Sequence, residues 1–407
     1  MDIKPLRLGR KLVGPGNPSY IIFEVASTHG NDWDIAKAYV KQAKKAGADA
    51  LKFQLFRADG LLNPITSGLK STYDFFKKSE IPRAWFPKLI KLCDEAGIDF
   101  LCTPFDGESA IFLNQIGMPA FKIASGDLTN HQLLSLIAGF NKPVILSTGM
   151  ATISEVKAAV NVLRNNGSKD LAILQCTSVY PMPHEAANLK TMVALKEEFR
   201  TVVGYSDNGS EGFVVDLAAT AVGASIIEKH VTSKKKIGNK DDIFSLSVEE
   251  FSKMVGEIRE VERNFGDDTK RAVDKLKKDY GKDIDKMLGS SRKKPSDIGY
   301  LREDGVYMTE NSERHWARRG IYPNAIIPEG TVITKDMIIS LRPDVGVSAL
   351  DFGRVVGAIA DEELMPLKPI RIKGGKISQF SKLDIEKVYK KKQDQEFVRI
   401  LLEEALF

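Results

Sequence analysis

"PVILSTGMATISEVKAAVNVLRNNGSKDLAILQCTS", residues 143–178, holds one complete strand–helix–strand unit. Residues 143–149 are short, apolar and β-branched, and residues 171–178 repeat that texture. Between them "TISEVKAAVNVLRNNG" spaces its apolar residues at helical intervals and stops at Gly, which tolerates the left-handed backbone of a helix end. Working outward, the same run recurs at "YIIFEV" (20–25), "ALKFQLF" (50–56), "DFLCTP" (99–104) and "AFKIAS" (120–125). It returns at "TVVGYSD" (201–207) and "SIIEKHV" (225–231), and helical patterns such as "DIAKAYVKQAKKAGA" and "AWFPKLIKLCDEAG" fill the gaps. "SVEEFSKMVGEIREVERNFG" follows the eighth run. Eight βα units without a dinucleotide glycine fingerprint predict an α/β fold, a closed (β/α)8 TIM barrel over residues 1–266.

After Gly266 the texture changes. Residues 267–312 are charged and predict a helical linker or insertion, while residues 313–376 carry short strands punctuated by "PEGT", "RPDVG" and "KGGK". The latter predict a small, separate, β-rich domain. Residues 377–407 predict a helical tail.

The chain of 407 residues, 43% hydrophobic and 28% charged, has the composition of a soluble globular protein. Its net charge of +5 is modest, and the Lys runs at 234–236 and 390–392 read as solvated faces. No basic patch with interleaved aromatics points to nucleic acid, and no apolar segment points to a signal or a membrane span. Three cysteines without a CxxC pair imply a reducing cytoplasm and neither a disulfide framework nor a zinc site.

In a barrel of this kind catalytic groups sit at the carboxyl ends of the strands. Those ends supply Glu24, Lys52, Gln54, Thr103, Asp106, Lys122, Ser125 and Asp127. They continue with Ser147, Thr148, Ser178, Tyr180, Ser206, Asp207, Asn208 and His230. Lys52 and Lys122 alternate with large apolar neighbours, so both should point into the barrel mouth. A buried ammonium needs a partner. That partner is either a structural carboxylate, Glu24 or Asp127, or the anion of a substrate. Four converging hydroxyls, Ser125, Ser147, Ser178 and Ser206, favour the anion, because hydroxyls and lysines offer donors with little negative charge.

The ordered set "FEVASTHGNDWDIAKAYVKQAKKAGADALKFQ", "CTPFD", "KIASGDLTN", "ILSTGM", "LQCTSVYP", "GYSD" and "EKH" resembles the sialic acid synthase family. "ARRGIYPNAIIPEGTVITKDMIISLRPDVG" is similar to the antifreeze-like (SAF) domain that follows the barrel in that family. The resemblance covers about residues 18–265 and 313–376. It implies condensation of phosphoenolpyruvate with N-acetylmannosamine or a related amino sugar, giving a nonulosonic acid and phosphate. By the same resemblance Lys52, Thr103 and Lys122 hold the carboxylate end of phosphoenolpyruvate, and Ser125, Ser147, Ser178 and Ser206 hold its phosphate. Ser178 stands where bacterial members carry Asn, and Asp127 where Glu is common; both follow the animal-type members. Glu24, Gln54, Tyr180 and Asp241 match positions that contact the amino sugar, with Glu24 handling protons at the aldehyde and orienting water. From the residues alone, Glu24 could instead be a salt-bridge partner, Gln54 a barrel filler and Asp241 a loop carboxylate.

Arg342 and Trp316 match small-domain positions, the arginine reaching into the partner subunit's barrel, which implies a homodimer with exchanged domains. Family members bind a divalent metal, Mn2+ or Mg2+, through two histidines. One matches His230; the other position holds Asn208, which implies a weaker site. His29, in "THGN", could repair the metal shell or be structural. Two alternatives stay open: a synthase using a legionaminic-type, pseudaminic-type or phosphorylated acceptor, and a non-catalytic paralogue that binds phosphoenolpyruvate or sugar.

Overall fold

A computed structural model describes residues 3–65, 70–209, 212–233, 240–289, 310, 314 and 316–381. A hairpin of β1 (Leu6–Leu8) and β2 (Lys11–Val13) precedes the barrel. The apolar runs then form β3 (Tyr20–Glu24), β4 (Ala50–Leu55), β5 (Asp99–Pro104) and β6 (Phe121–Ile123). β7 (Val144–Ser147), β8 (Leu171–Cys176), β9 (Val202–Asp207) and β10 (Ile226–Thr232) complete the set. They pair in parallel in the order β5-β4-β3-β10-β9-β8-β7-β6. β5 and β6 lie side by side at the seam, so the sheet is a nearly closed barrel, as the βα period predicts.

Side-chain alternation divides each strand between two environments. Ile21, Phe23, Leu51, Phe53 and Ile173 face outward and pack under the helices. Tyr20, Ile22, Leu101, Ile145, Leu174 and Ile226 face inward, where Leu6, Leu8 and Val13 of the hairpin plug the amino-terminal end. One step further along each strand the inward positions turn polar. Register sets Glu24 opposite Lys52, His230 opposite Glu24 and Glu228 opposite Ser206. A polar layer therefore rests on an apolar floor.

The surrounding helices start where the sequence supplies caps. Thr152 and Glu155 form a capping box at helix Ile153–Asn165, and Ser247 and Glu250 form another at helix Val248–Phe265. Between these lies β11 (Leu246–Ser247), paired with the end of β10. After Gly266 the described part of the charged segment is helical. Helices Thr269–Tyr280 and Asp283–Leu288 bury Ala272, Leu276, Ile284, Met287 and Leu288 in the outer barrel core. Their exposed faces carry most of the charge, which hid the narrow apolar stripe from a reading by composition. The rest of that segment, except Glu310, and the expected tail beyond residue 381 lie outside the described residues.

The small domain pairs β12 (Gly320–Pro323) with β13 (Ile338–Leu341). Beside them β14 (Ile359–Ala360), β15 (Ile370–Lys373) and β16 (Lys376–Gln379) form a three-stranded sheet. Its own core holds Ile321, Ile327, Ile338, Val355, Leu364 and Ile377. Among the described residues no helix is long and apolar enough to cross a membrane.

Candidate active site at the barrel mouth

The polar layer opens into a cavity of about 700 Å³ at the carboxyl ends of the strands. Of the candidate residues named from the sequence, all line it except Asp106, Asp127, Thr148 and Asp207.

On the side built by β3, β4 and β10, Lys52 Nζ lies 2.6 Å from Glu24 Oε2 and 3.7 Å from Glu228 Oε2. Lys52 also donates to Thr103 Oγ1 at 3.2 Å, and Gln54 Nε2 donates to Glu24 Oε1 at 2.8 Å. Of the open alternatives for Lys52, the structure realises the Glu24 ion pair. Burial pushes the Glu24 carboxyl up from its usual range, with Lys52 opposing and Glu228 reinforcing the shift. Glu24 is thus an acid with raised proton affinity, fixed by two donors and facing the cavity.

Glu228 is the residue the sequence reading missed. It sits two positions before His230, so the same alternation that turns His230 inward turns it inward too. Its Oε1 accepts from Ser206 Oγ at 3.1 Å and lies 3.5 Å from Lys122 Nζ. Desolvation raises its carboxyl, yet Lys122, Lys52 and His230 together hold it below its usual range. Glu228 thereby offsets part of the charge of both lysines.

The side built by β6, β7 and β8 is different. Lys122 is buried, and among the described residues its Nζ reaches Glu228 at 3.5 Å and the Ile123 carbonyl at 3.3 Å. Desolvation pulls its pKa down, so this ammonium is short of negative charge. The hydroxyls of Ser147 and Ser178 are buried with no hydrogen-bond partner among the described residues. Ser125 Oγ accepts from the Gly149 N–H at 3.0 Å. A Cβ at Gly149 would lie 2.2 Å from Ser178 Oγ and 2.9 Å from Ser125 Oγ, so glycine is required for these hydroxyls to converge. Orphaned hydroxyls beside an under-compensated lysine form a donor cradle that an anion would complete.

His230 presents its ring edge to Phe244 at 4.9 Å between centroids, and its Nδ1 is buried without a partner among the described residues. Asn208 donates its Nδ2 to the Thr177 carbonyl at 2.9 Å and to Cys176 Sγ at 3.3 Å, which leaves its oxygen as the end open to a cation. His29 lines the cavity, but its Nδ1 accepts from the Asn31 N–H at 2.8 Å. Burial holds His29 neutral, with its pKa lowered to about 4. Asp241 accepts from the Ser27 N–H at 2.9 Å and from the Ser27 hydroxyl. No group of three or more His, Cys, Asp or Glu side chains converges on a metal among the described residues. One imidazole and one amide oxygen fit a hard cation only when substrate and water supply the rest of its shell.

The small domain forms the roof. Arg342 is buried over Trp316 and Phe105, its guanidinium carbon 5.2 Å and 5.6 Å from the ring centroids. Its N–H donates to the Leu61 carbonyl at 2.9 Å, and its carbonyl accepts from the Asn63 N–H at 2.8 Å. Tyr180 stands at the rim, half exposed, against Phe244. Within the chain, Arg342 enters the cavity, and its backbone bonds to residues 61–63 join the small domain to the barrel. One expectation is corrected here. Asp127 turns away from the cavity, from a 3₁₀ turn after β6, and pairs with the buried Arg319. Arg319 also donates to the carbonyls of Gly60, Phe105 and Ser340, so this pair fastens the two domains together.

Comparison with known proteins follows the same lines. The NeuB family profile matches residues 39–270. An uncharacterized protein of Methanocaldococcus jannaschii is 38% identical over 85% of this chain and 91% of its own length. The N,N'-diacetyllegionaminic acid synthase of Campylobacter jejuni is 34% identical over 84% of this chain and 95% of its own. Among solved structures, a spore coat polysaccharide biosynthesis protein from Bacillus subtilis superimposes with a TM-score of 0.73 at 32% identity, covering 90% of this chain and 97% of that one. A match that spans the barrel and the small domain beyond it leaves one conclusion: this chain belongs to the NeuB family.

Proposed function

We propose that this chain is a synthase that condenses phosphoenolpyruvate with a 2-acetamido sugar aldehyde, giving a nonulosonic acid and inorganic phosphate. The acceptor class is that of N-acetylmannosamine or of the legionaminic and pseudaminic precursors. The observation that carries the reading is the cradle of Lys122, Ser147 and Ser178, set across the barrel from Glu24.

Phosphoenolpyruvate lies with its anionic groups toward Lys122, Lys52 and the hydroxyls of Thr103, Ser125, Ser147, Ser178 and Ser206. Its C3 then faces an aldehyde held by Gln54, Asp241 and Tyr180 under Arg342 and Trp316. C3 attacks the aldehyde carbon while the buried Glu24–Lys52 pair delivers a proton to the aldehyde oxygen. The pair then regains a proton from the water that adds at C2. Breakage of the bond between C2 and the bridging oxygen then releases phosphate and leaves the α-keto acid. A divalent cation on His230 and Asn208 would polarise the aldehyde as a Lewis acid.

In the homodimer implied by the resemblance, exchanged small domains would make these roof contacts between chains, each Arg342 entering the partner subunit's cavity. The three buried free thiols support a reducing cytoplasm. Release of phosphate from phosphoenolpyruvate, assayed across a panel of amino sugars and metals, tests the reading. Binding of phosphoenolpyruvate with no turnover on any acceptor would replace it with the non-catalytic alternative.

A further inference from the structure

Met150 lies three residues past Ser147 on the loop leaving β7 and lines the cavity. It is not a glycine, yet its backbone is left-handed, with φ of 61°. A Cβ is disfavoured there, so surrounding contacts must hold the conformation. Both of its backbone polar groups are held from outside the barrel. Its N–H donates to Glu310 Oε1 at 3.1 Å. Its carbonyl accepts from Arg314 Nη1 at 2.6 Å and from Arg318 Nη2 at 3.3 Å. The same Glu310 oxygen accepts from the Ser178 N–H at 2.8 Å. One carboxylate oxygen thus ties the loop after β7 to the loop after β8. These are the loops that present the orphaned Ser147 and Ser178 hydroxyls. Arg314 is fixed in turn by Glu155, through contacts of 2.6 Å and 3.0 Å. Glu310 is 3% exposed, and neither it nor the two arginines lines the cavity.

We infer that Glu310, Arg314 and Arg318 are positioning residues: the segment entering the small domain clamps the backbones of Met150 and Ser178 and thereby sets the anion-binding hydroxyls. The inference rests on the anion-site reading proposed above. It makes affinity for phosphoenolpyruvate depend on three side chains, those of Glu310, Arg314 and Arg318, that do not line the cavity. A general stability role would affect both substrates alike, whereas a clamp on these two loops acts on the anion alone.

The test is calorimetric titration of phosphoenolpyruvate into the full chain and into Glu310→Ala, Glu310→Gln and Arg314→Ala, with KM measured for both substrates. Glu310→Ala leaves two buried N–H groups unpaired and should weaken phosphoenolpyruvate binding about tenfold or more. Glu310→Gln keeps an acceptor oxygen and should stay within roughly threefold of wild type. Arg314→Ala, with Arg318 still on the Met150 carbonyl, should weaken binding about threefold to fivefold. The KM for the amino sugar should move less than about twofold in each. Arg314 is partly exposed, so its variant tests the clamp even if Glu310→Ala fails to fold. Folded variants that bind phosphoenolpyruvate as wild type does, or that raise both KM values in parallel, overturn the inference. Wild type that fails to bind phosphoenolpyruvate at all overturns instead the anion-site reading on which it stands.

Discussion

Glu24 and Lys52 stand in register on neighbouring strands and form a 2.6 Å ion pair inside the barrel mouth. Gln54 holds the other Glu24 oxygen, so the carboxyl has one orientation. Burial raises the proton affinity of that carboxyl, which suits the pair to passing a proton. Glu24→Gln keeps the shape and removes the titratable carboxyl. It should lower kcat by about two to four orders of magnitude, the usual worth of a positioned acid or base. Affinity for phosphoenolpyruvate should stay close to wild type in calorimetry, since Glu24 lies across the barrel from the anion cradle.

Lys122→Ala should abolish measurable binding of phosphoenolpyruvate. Removing one partner of a desolvated charge pair costs on the order of 2–5 kcal/mol, and here Glu228 would also be left under-compensated. Isothermal titration of a variant shown to be folded by circular dichroism checks this; unchanged affinity would remove the anion from this side of the barrel.

Mixing an inactive Lys122→Ala chain with an inactive Arg342→Ala chain should restore activity, if the exchanged dimer of the proposal holds. A mixed dimer would then have one site with both residues intact and one with neither. Proven heterodimers that recover no activity would show that each chain uses its own Arg342.

Metal binding should be weak in the native chain and stronger in Asn208→His, by about tenfold or more, the scale of about 1.4 kcal/mol. Titration with Mn2+ measures it. Tight binding in wild type, unaffected by the change, would place the second ligand elsewhere, at His29 or Asp207.

Much of this site was legible from period and position. Alternation by two placed Lys52 and Lys122 inward, and the strand-end rule gathered the serines, Glu24 and His230. Glu228 obeys the same alternation and was readable in "EKH", but attention to the strand's last residue passed over it. Asp127 was misplaced because its partner, Arg319, lies 192 residues away in another domain. No local pattern announces such a pair. The hold of Glu310 on Met150 was equally hidden, since it joins a segment before the small domain to a barrel loop through backbone groups that leave no trace in sequence.

Stability should fall as pH rises from about 4.5 to about 7 because of Glu310. Its carboxyl is pushed up to about 7, chiefly by desolvation, against the opposing N–H groups of Ser178 and Met150 and the charges of Arg318 and Arg314. Of the other groups nearby, Glu155 pairs with Arg314, and the Cys176 thiol, raised to about 11, stays neutral. A raised acid stabilises the fold fully below its unfolded pKa near 4.5, and that contribution is lost as pH climbs through about 7. The loss is on the order of 3 kcal/mol. Melting temperature measured between these limits should fall in wild type relative to Glu310→Gln; parallel curves would contradict it.

The most direct test of the central claim follows the bridging oxygen of phosphoenolpyruvate. Substrate carrying a heavy oxygen isotope at that atom is incubated with the enzyme, a divalent metal and a 2-acetamido sugar, and the products are weighed by mass spectrometry. The account predicts labelled inorganic phosphate and an unlabelled nonulosonic acid, in equal amounts, and neither product from Lys122→Ala. Unlabelled phosphate, or no phosphate with any acceptor, would contradict it.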